Sequence, residues 1–157
     1  MKNNIKALIL HLITVVLSFI LLVIFVATAS KFGKYTTNIL SRLFLTVSLI
    51  RFYVYMGTFL DINKDRKYDF YVGGIISIIG IGLWLYTFLM TNGSLIEVPK
   101  EVSTYWILFN SYYMPFTMID FLLGIQHIPL LSLLNVFMPS LFMGFGLRYK
   151  RVRIEKK

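Results

Sequence analysis

Hydrophobic residues along this chain fall into five long blocks, separated by short segments that carry charges, glycine or proline. The blocks cover residues 7–29, 39–60, 68–90, 105–124 and 129–147. Each block is close to the roughly 20 residues that a helix needs to cross a bilayer. We therefore predict an all-α fold, a polytopic transmembrane helical bundle with five hydrophobic helices of which at least four span. Residues 1–147 would form one domain, followed by a basic cytoplasmic tail at residues 148–157.

The overall composition indicates which kind of molecule the basic residues contact. Hydrophobic residues make up 57% of the 157 positions and charged residues only 15%, whereas soluble domains average about 45–50% and 25%. The net charge is +9, and the basic residues flank apolar blocks, so anionic lipid headgroups are favoured as their partner over nucleic acid. The chain has no cysteine, which excludes disulfides and thiol chemistry.

The first block has to be weighed against a cleaved signal peptide, because Ala27, Thr28 and Ala29 resemble a small-residue cleavage site. Its apolar stretch is longer than the roughly 7–15 residues of a signal peptide. We therefore expect a retained membrane helix.

The fourth block is the least hydrophobic and contains Asn110, Pro115 and Asp120. If it spans, the flanking Lys and Arg residues divide ten inside and five outside, with residue 1 outside. If it is re-entrant, they divide eleven and four, with residue 1 inside. Both arrangements obey the positive-inside rule and keep the C-terminus cytoplasmic in the cell membrane. We favour five spans, because the block is long enough and its polar residues share one face.

Small and polar residues recur at steps of three and four in all five blocks, so they line one face of each helix. The stripes are His11, Thr14 and Ser18; Ser41, Ser48, Arg51, Tyr55 and Thr58; Gly73, Ser77, Gly80, Trp84 and Thr87; Trp106, Asn110, Tyr113, Thr117, Asp120 and Gly124; Ser132, Asn135, Pro139 and Gly146. Such stripes are typical of helix packing inside a bilayer. They could also converge on a polar cavity along the bundle axis.

Arg51 lies in the middle of the second block, where a guanidinium costs about 2.5–3.5 kcal/mol even on insertion scales. In a five-span bundle the second and fourth helices run the same way, and depth arithmetic then brings Arg51 near Asp120. We therefore predict an ion pair between them. The predicted intramembrane polar cluster comprises Arg51, Asp69, Asp120, Tyr55, Asn110 and Tyr113, with Tyr68 at the same end.

The other motifs in the sequence give only weak evidence for a metal, modification or catalytic site. Asp61, Asn63 and Asp65 have calcium-loop spacing, but Arg66 replaces the required glycine and Val72 the final glutamate, so we predict a solvated turn. Residues 92–94 fit a glycosylation sequon but are first a turn signal. His11 is expected to be a buried, hydrogen-bonded imidazole and His127 an interfacial loop residue. No catalytic motif is found, so we expect no enzyme activity, cofactor or metal.

The function expected from these patterns is a non-enzymatic accessory or regulatory role, through binding a membrane partner or lipid. The alternative is a small-solute or ion transporter or channel, acting as a homo-oligomer around the Arg51 and Asp120 cluster. The basic residues Arg148, Lys150, Arg151 and Arg153 are expected to contact anionic headgroups. Self-association is the other partner considered. An outward-facing Gly73, Ser77 and Gly80 surface would favour the accessory role.

A first prediction concerns the fourth block, which should lie in the membrane. Cysteines introduced at Leu108 and Met118 into this cysteine-free chain should resist water-soluble maleimides, because apolar surroundings exclude the reagent. Fast labelling at both positions would instead show that the block is an aqueous loop.

Overall fold

The computed structural model describes residues 2–36, 38–62, 65–91 and 94–156, without the side chains of residues 34–36. The described residues form seven α-helices and two 3₁₀ helices and no strand. The α-helices are α1 (Lys2–Thr36), α2 (Ile39–Gly57), α3 (Gly74–Met90), α4 (Trp106–Tyr112), α5 (Met114–Leu123), α6 (Pro129–Asn135) and α7 (Met138–Glu155). The 3₁₀ helices, Arg66–Tyr71 and Lys100–Tyr105, precede α3 and α4.

Four stretches of the described chain are long and apolar enough to cross a membrane, which confirms the predicted all-helical, membrane-type bundle. They are Lys2–Gly33, Ile39–Gly57, Arg66–Met90 and Pro129–Glu155. The first block packs into the bundle, since Ala7, His11, Thr14 and Ser18 are buried along one face of α1. The helix departs from regular geometry at Phe32, and the Asn38 side chain caps α2 by accepting from the Leu40 N–H at 3.0 Å.

The ends of several helices meet at one end of the bundle, which we call the charged end. Near the start of α1, Asn4 accepts from the Gly74 N–H at the start of α3 at 2.9 Å. Lys6 Nζ lies 2.6 Å from the carboxylate of Asp61, which follows α2. Lys150 Nζ of α7 donates to the Leu60 carbonyl at 2.7 Å. The start of α1 and the last turns of α7 therefore lie at the same end.

The fourth block does not form one continuous helix. It breaks at Tyr113 (φ −101°, ψ 30°), between α4 and α5. Pro115 follows in the first turn of α5, and a proline has no N–H for a helical hydrogen bond. The Thr117 hydroxyl donates to the Asn110 carbonyl across the break at 3.1 Å. A hydroxyl seven residues further on can reach that carbonyl only because the two helices are sharply bent.

Both arms of the broken block point away from the charged end. Tyr113 contacts His11 of α1, whereas Phe121 contacts Phe25, fourteen residues or about 21 Å further along that helix. On the other arm, the Tyr105 carbonyl lies 3.4 Å from the Thr87 hydroxyl near the far end of α3. We call α4 and α5 the re-entrant hairpin. The five-span arrangement is therefore wrong, because the chain reverses at Tyr113 and both ends of the fourth block lie away from the charged end. The sequence did not show this reversal.

The fifth block is also interrupted, between α6 and α7, and α7 then crosses α2 closely. A Cβ atom added to Gly57 would collide with the Met143 carbonyl, and one added to Gly146 would collide with the Val54 carbonyl. Small residues allow this backbone approach, as is usual between membrane helices. Because α7 continues to Glu155, the predicted basic tail is largely the end of a helix.

A second prediction follows from the positions of the helix ends. Topology reporters fused after residues 3 and 157 should report the same side of the membrane, and a reporter inserted at residue 97 the opposite side. Fusions at 3 and 157 on opposite sides would contradict the re-entrant hairpin and restore five spans.

Candidate functional site

Tyr113, at the tip of the re-entrant hairpin, lies in the centre of the bundle and is fully buried. Its hydroxyl donates to the Ile76 carbonyl at 3.2 Å and lies 3.4 Å from the Val136 carbonyl. Gly80 of α3 leaves the necessary space, because a Cβ atom there would collide with the Tyr113 hydroxyl. The tip is thus held between α3 and the end of α6.

His11 and two further tyrosines surround this tip. His11 Nδ1 and the Tyr53 hydroxyl are 2.8 Å apart, and both side chains are fully buried. The ring of Tyr112 lies edge-on to the imidazole at 4.8 Å. Among the described residues, His11 Nε2 and the Tyr112 hydroxyl have no hydrogen-bond partner. The prediction of a buried, hydrogen-bonded imidazole is confirmed, and the polar centre still has unused donors or acceptors.

Sequence reasoning missed Tyr53, although a signal existed. The residues of α2 that are buried are Thr46, Leu49, Tyr53 and Gly57, which repeat at steps of three and four. That face is less polar than the stripe through Arg51, so its sequence pattern does not single out Tyr53. A tyrosine facing a histidine could be recognised only once the packing of α1 on α2 was known.

Asp69 and Arg151 form a buried ion pair at the charged end. Arg151 Nε and the second guanidinium nitrogen reach the two carboxylate oxygens at 2.9 and 2.6 Å, and Asp69 is fully buried. This two-pronged geometry is the strongest that arginine makes with a carboxylate. The interpretation of Arg151 as a headgroup contact is therefore wrong, because the side chain turns inward to Asp69. Exposed pairs flank it between Arg66 and Glu155 and between Lys6 and Asp61.

The other three basic residues predicted to contact headgroups differ in their exposure. Lys150 is half-buried and donates to the Leu60 carbonyl, whereas Arg148 and Arg153 are exposed. Arg148 and Arg153 therefore stay candidates for headgroup contact.

The hydrogen bond from Lys6 lowers the pKa of the exposed Asp61 carboxyl below its usual value.

Asp120 does not meet Arg51. It is half-buried on α5, and Asn135 Nδ2 donates to its carboxylate at 3.3 Å. The predicted ion pair is wrong because α5 runs away from the charged end, opposite to α2, so its last turns lie beyond the reach of Arg51. The predicted polar cluster is thereby dispersed. Asn110 and Tyr113 lie at the hairpin break, Asp120 lies beside Asn135 and Asp69 lies at the charged end.

Arg51 and Tyr55 occupy the outer surface of α2. Arg51 is exposed, and none of the ion pairs formed by described side chains includes it. Tyr55, one turn nearer the charged end, is 57% exposed and packs edge-on against Phe59. Arg51 and Tyr55, in the middle of the polar stripe of α2, therefore face away from the bundle, whereas Ser41, Ser48 and Thr58 are partly buried.

The polar stripe of α3 faces the opposite way, into the bundle. Ser77 donates to the Val136 carbonyl at 3.1 Å, and Trp84 Nε1 donates to the Pro129 carbonyl at 2.8 Å. Gly73 packs against Ser140. An outward-facing surface of Gly73, Ser77 and Gly80, considered from the sequence, is thus not present. Asn63, Asn92 and Gly93, on which the calcium-loop and sequon interpretations depended, lie outside the described residues.

Comparisons with protein-family models, with curated proteins and with solved structures found no match. The fold and the arrangement of its polar groups define the chain as a membrane-type helical protein with a re-entrant hairpin.

A third prediction concerns the pair of Asp69 and Arg151. Asp69→Asn or Arg151→Met alone should lower the free energy of unfolding by about 3 kcal/mol, because each leaves an uncompensated buried charge. The double variant should recover much of the loss. Thermal unfolding in detergent measures this, with Arg66→Gln in the exposed pair as a matched control that costs about 0–1 kcal/mol. Losses that simply add in the double variant would contradict direct pairing.

Proposed function

We propose that this chain is a non-enzymatic accessory or regulatory membrane protein, which acts by binding a partner within the bilayer through the outer surface of α2. The observation that carries the proposal is the outward orientation of Arg51 and Tyr55. A stripe needed only for packing this chain would face its own bundle.

The energetic cost of Arg51 supports a binding role. Arg51 lies six residues, about 9 Å, before the end of α2 at Gly57. A guanidinium stays charged in proteins, and burying it in hydrocarbon without a counter-charge is expensive. A partner that supplies an anionic group would remove this cost. The charge of Arg51, which is unfavourable in the isolated chain, would therefore favour binding.

The distribution of basic residues supports an orientation in the cell membrane with both ends of the chain cytoplasmic. The charged end carries eleven Lys and Arg residues by sequence, and the segments at the far end carry four. Basic residues in short loops are retained on the cytoplasmic side. Arg148 and Arg153 would then meet anionic headgroups there.

A small-solute or ion transporter, acting as a homo-oligomer, is the second candidate. It is favoured by the re-entrant hairpin and the unused polar atoms of His11 and Tyr112 at its tip. Broken helices with polar groups at mid-depth are a common way to build a transport site. The centre of the bundle is, however, filled by large side chains including Trp106, Phe109 and Phe116.

A fourth prediction separates the two functions. Cysteines replacing Thr87 and Ser132, both buried in the bundle, should not react with charged methanethiosulfonate reagents added to either side of the membrane. Water does not reach a closed core, whereas a carrier must expose its site to water. Ser94→Cys in the exposed loop serves as the reactive control. Reaction at Thr87→Cys or Ser132→Cys from either side would favour the transporter.

A further inference from the structure

A groove runs along the outer surface between α1 and α2, beside the outward polar stripe. It extends from Leu17 to Ile24 on α1 and from Leu45 to Phe52 on α2, with a volume of about 350 Å³. Ser18 and Leu49 are buried, at 1% and 7% exposure, and form its floor. The groove is almost wholly apolar. A groove between two helices can accept the ridge of side chains of a third helix.

Two polar features of this surface lack partners in the described chain. Arg51, one turn from Ser48 on the same face of α2, is exposed and outside every described ion pair. The Ser18 hydroxyl is buried, lines the groove and makes no hydrogen bond to any described residue. Serine in a membrane helix usually bonds to its own backbone or to a neighbouring helix. Ser18 lies further from the charged end than Arg51, because it is seven residues beyond His11 whereas Arg51 is two residues from Tyr53, the partner of His11. A partner that spans both levels could satisfy both groups.

Among the described residues, the carboxylates lie away from the level of Arg51, at the two ends of the bundle or on the last turns of α5. The one acidic residue within a hydrophobic block away from the charged end is Asp120, and it is half-buried against Asn135. Asp61, Asp69 and Glu155 are already paired with cations at the charged end. These positions favour a different molecule as the source of the counter-charge for Arg51.

Depth favours a protein helix over a phospholipid as that molecule. Ser48 lies further from the charged end than Arg51, and the groove that it lines continues in the same direction to Leu45. The Ser48 hydroxyl already donates to the Phe44 carbonyl at 2.7 Å, whereas the Ser18 hydroxyl has no partner among the described residues. A headgroup that reached up to Arg51 would leave only acyl chain beside Ser18. A helix offers polar and small side chains at every level, and serines at the contact allow close approach.

We propose that the groove between α1 and α2 binds a transmembrane helix of a different protein, and that an Asp or Glu on that helix pairs with Arg51. This inference rests on the proposed function and names the chemistry of its partner. Ser18 and Ser48 would contact the seated helix, and Tyr55 lies one turn beyond Arg51 toward the charged end.

The test uses the full chain in phosphatidylcholine vesicles and a synthetic Leu/Ala transmembrane peptide as the probe. The peptide carries one Glu placed at the depth of Arg51, and matched peptides carry Gln there or Glu at the mirror-image depth. Association is measured by energy transfer between labels. We expect the Glu peptide to bind about tenfold more tightly than either matched peptide, in line with interactions of polar groups in membranes.

Variants of the chain assign this preference to the groove. Arg51→Met should abolish the preference for Glu, whereas Arg148→Met, which removes an exposed charge at the end of α7, should keep it. Ser48→Trp should weaken binding of all peptides by filling the groove. Ile78→Trp, on the 71% exposed outer face of α3, should not. Wild-type-like thermal unfolding of each variant establishes that it is folded.

Equal binding of the Glu and Gln peptides, or a preference that survives Arg51→Met, would overturn the proposal. So would native mass spectrometry showing that Arg51→Met strips bound phosphatidylglycerol while leaving peptide binding unchanged, since Arg51 would then be a lipid contact. Failure of the proposed function is distinguishable from these outcomes. It would appear as reaction of buried cysteines at Thr87 or Ser132, whatever the peptide does.

Discussion

The position of Tyr113 in the centre of the bundle is the constraint on which the other features depend. Its hydroxyl reaches two backbone carbonyls, on α3 and at the end of α6, and Gly80 provides the space for it. A hydrogen bond in a medium without water is costly to leave unmade. The hairpin tip is consequently held at mid-depth, and the chain on both sides of it must return to the end at which it began.

This return decides how α2 is oriented. The α5 arm packs between α1 and α2, where Met118 and Leu122 contact Leu49. The inner face of α2 is then occupied by Leu49, Tyr53 and Gly57, so its polar stripe is left outside. A bundle of five simple spans could have enclosed Arg51. The re-entrant hairpin and the outward Arg51 are thus two consequences of one packing arrangement, and the second supports a binding role.

The charged end completes the fold in a different way. Asp69 and Arg151 form a buried pair that joins the start of the third span to the end of α7, while close glycine contacts hold α7 on α2. A buried pair contributes mainly by being costly to break. It therefore fixes the position of α7 more than it adds to net stability. The exposed pairs around it add little of their own.

The sequence by itself determined the class of fold, because block length and the scarcity of charge leave few alternatives to membrane-type helices. It also indicated the buried histidine. It did not determine the direction of the fourth block. The positive-inside counts for four and five spans differ by only one charge, and Pro115 predicts that the helix bends but not by what angle. Only the tertiary structure decided which stripes face inward and which acid meets which base. The physical reason is that periodicity defines a face of a helix, whereas the neighbour of that face is chosen by packing between distant segments.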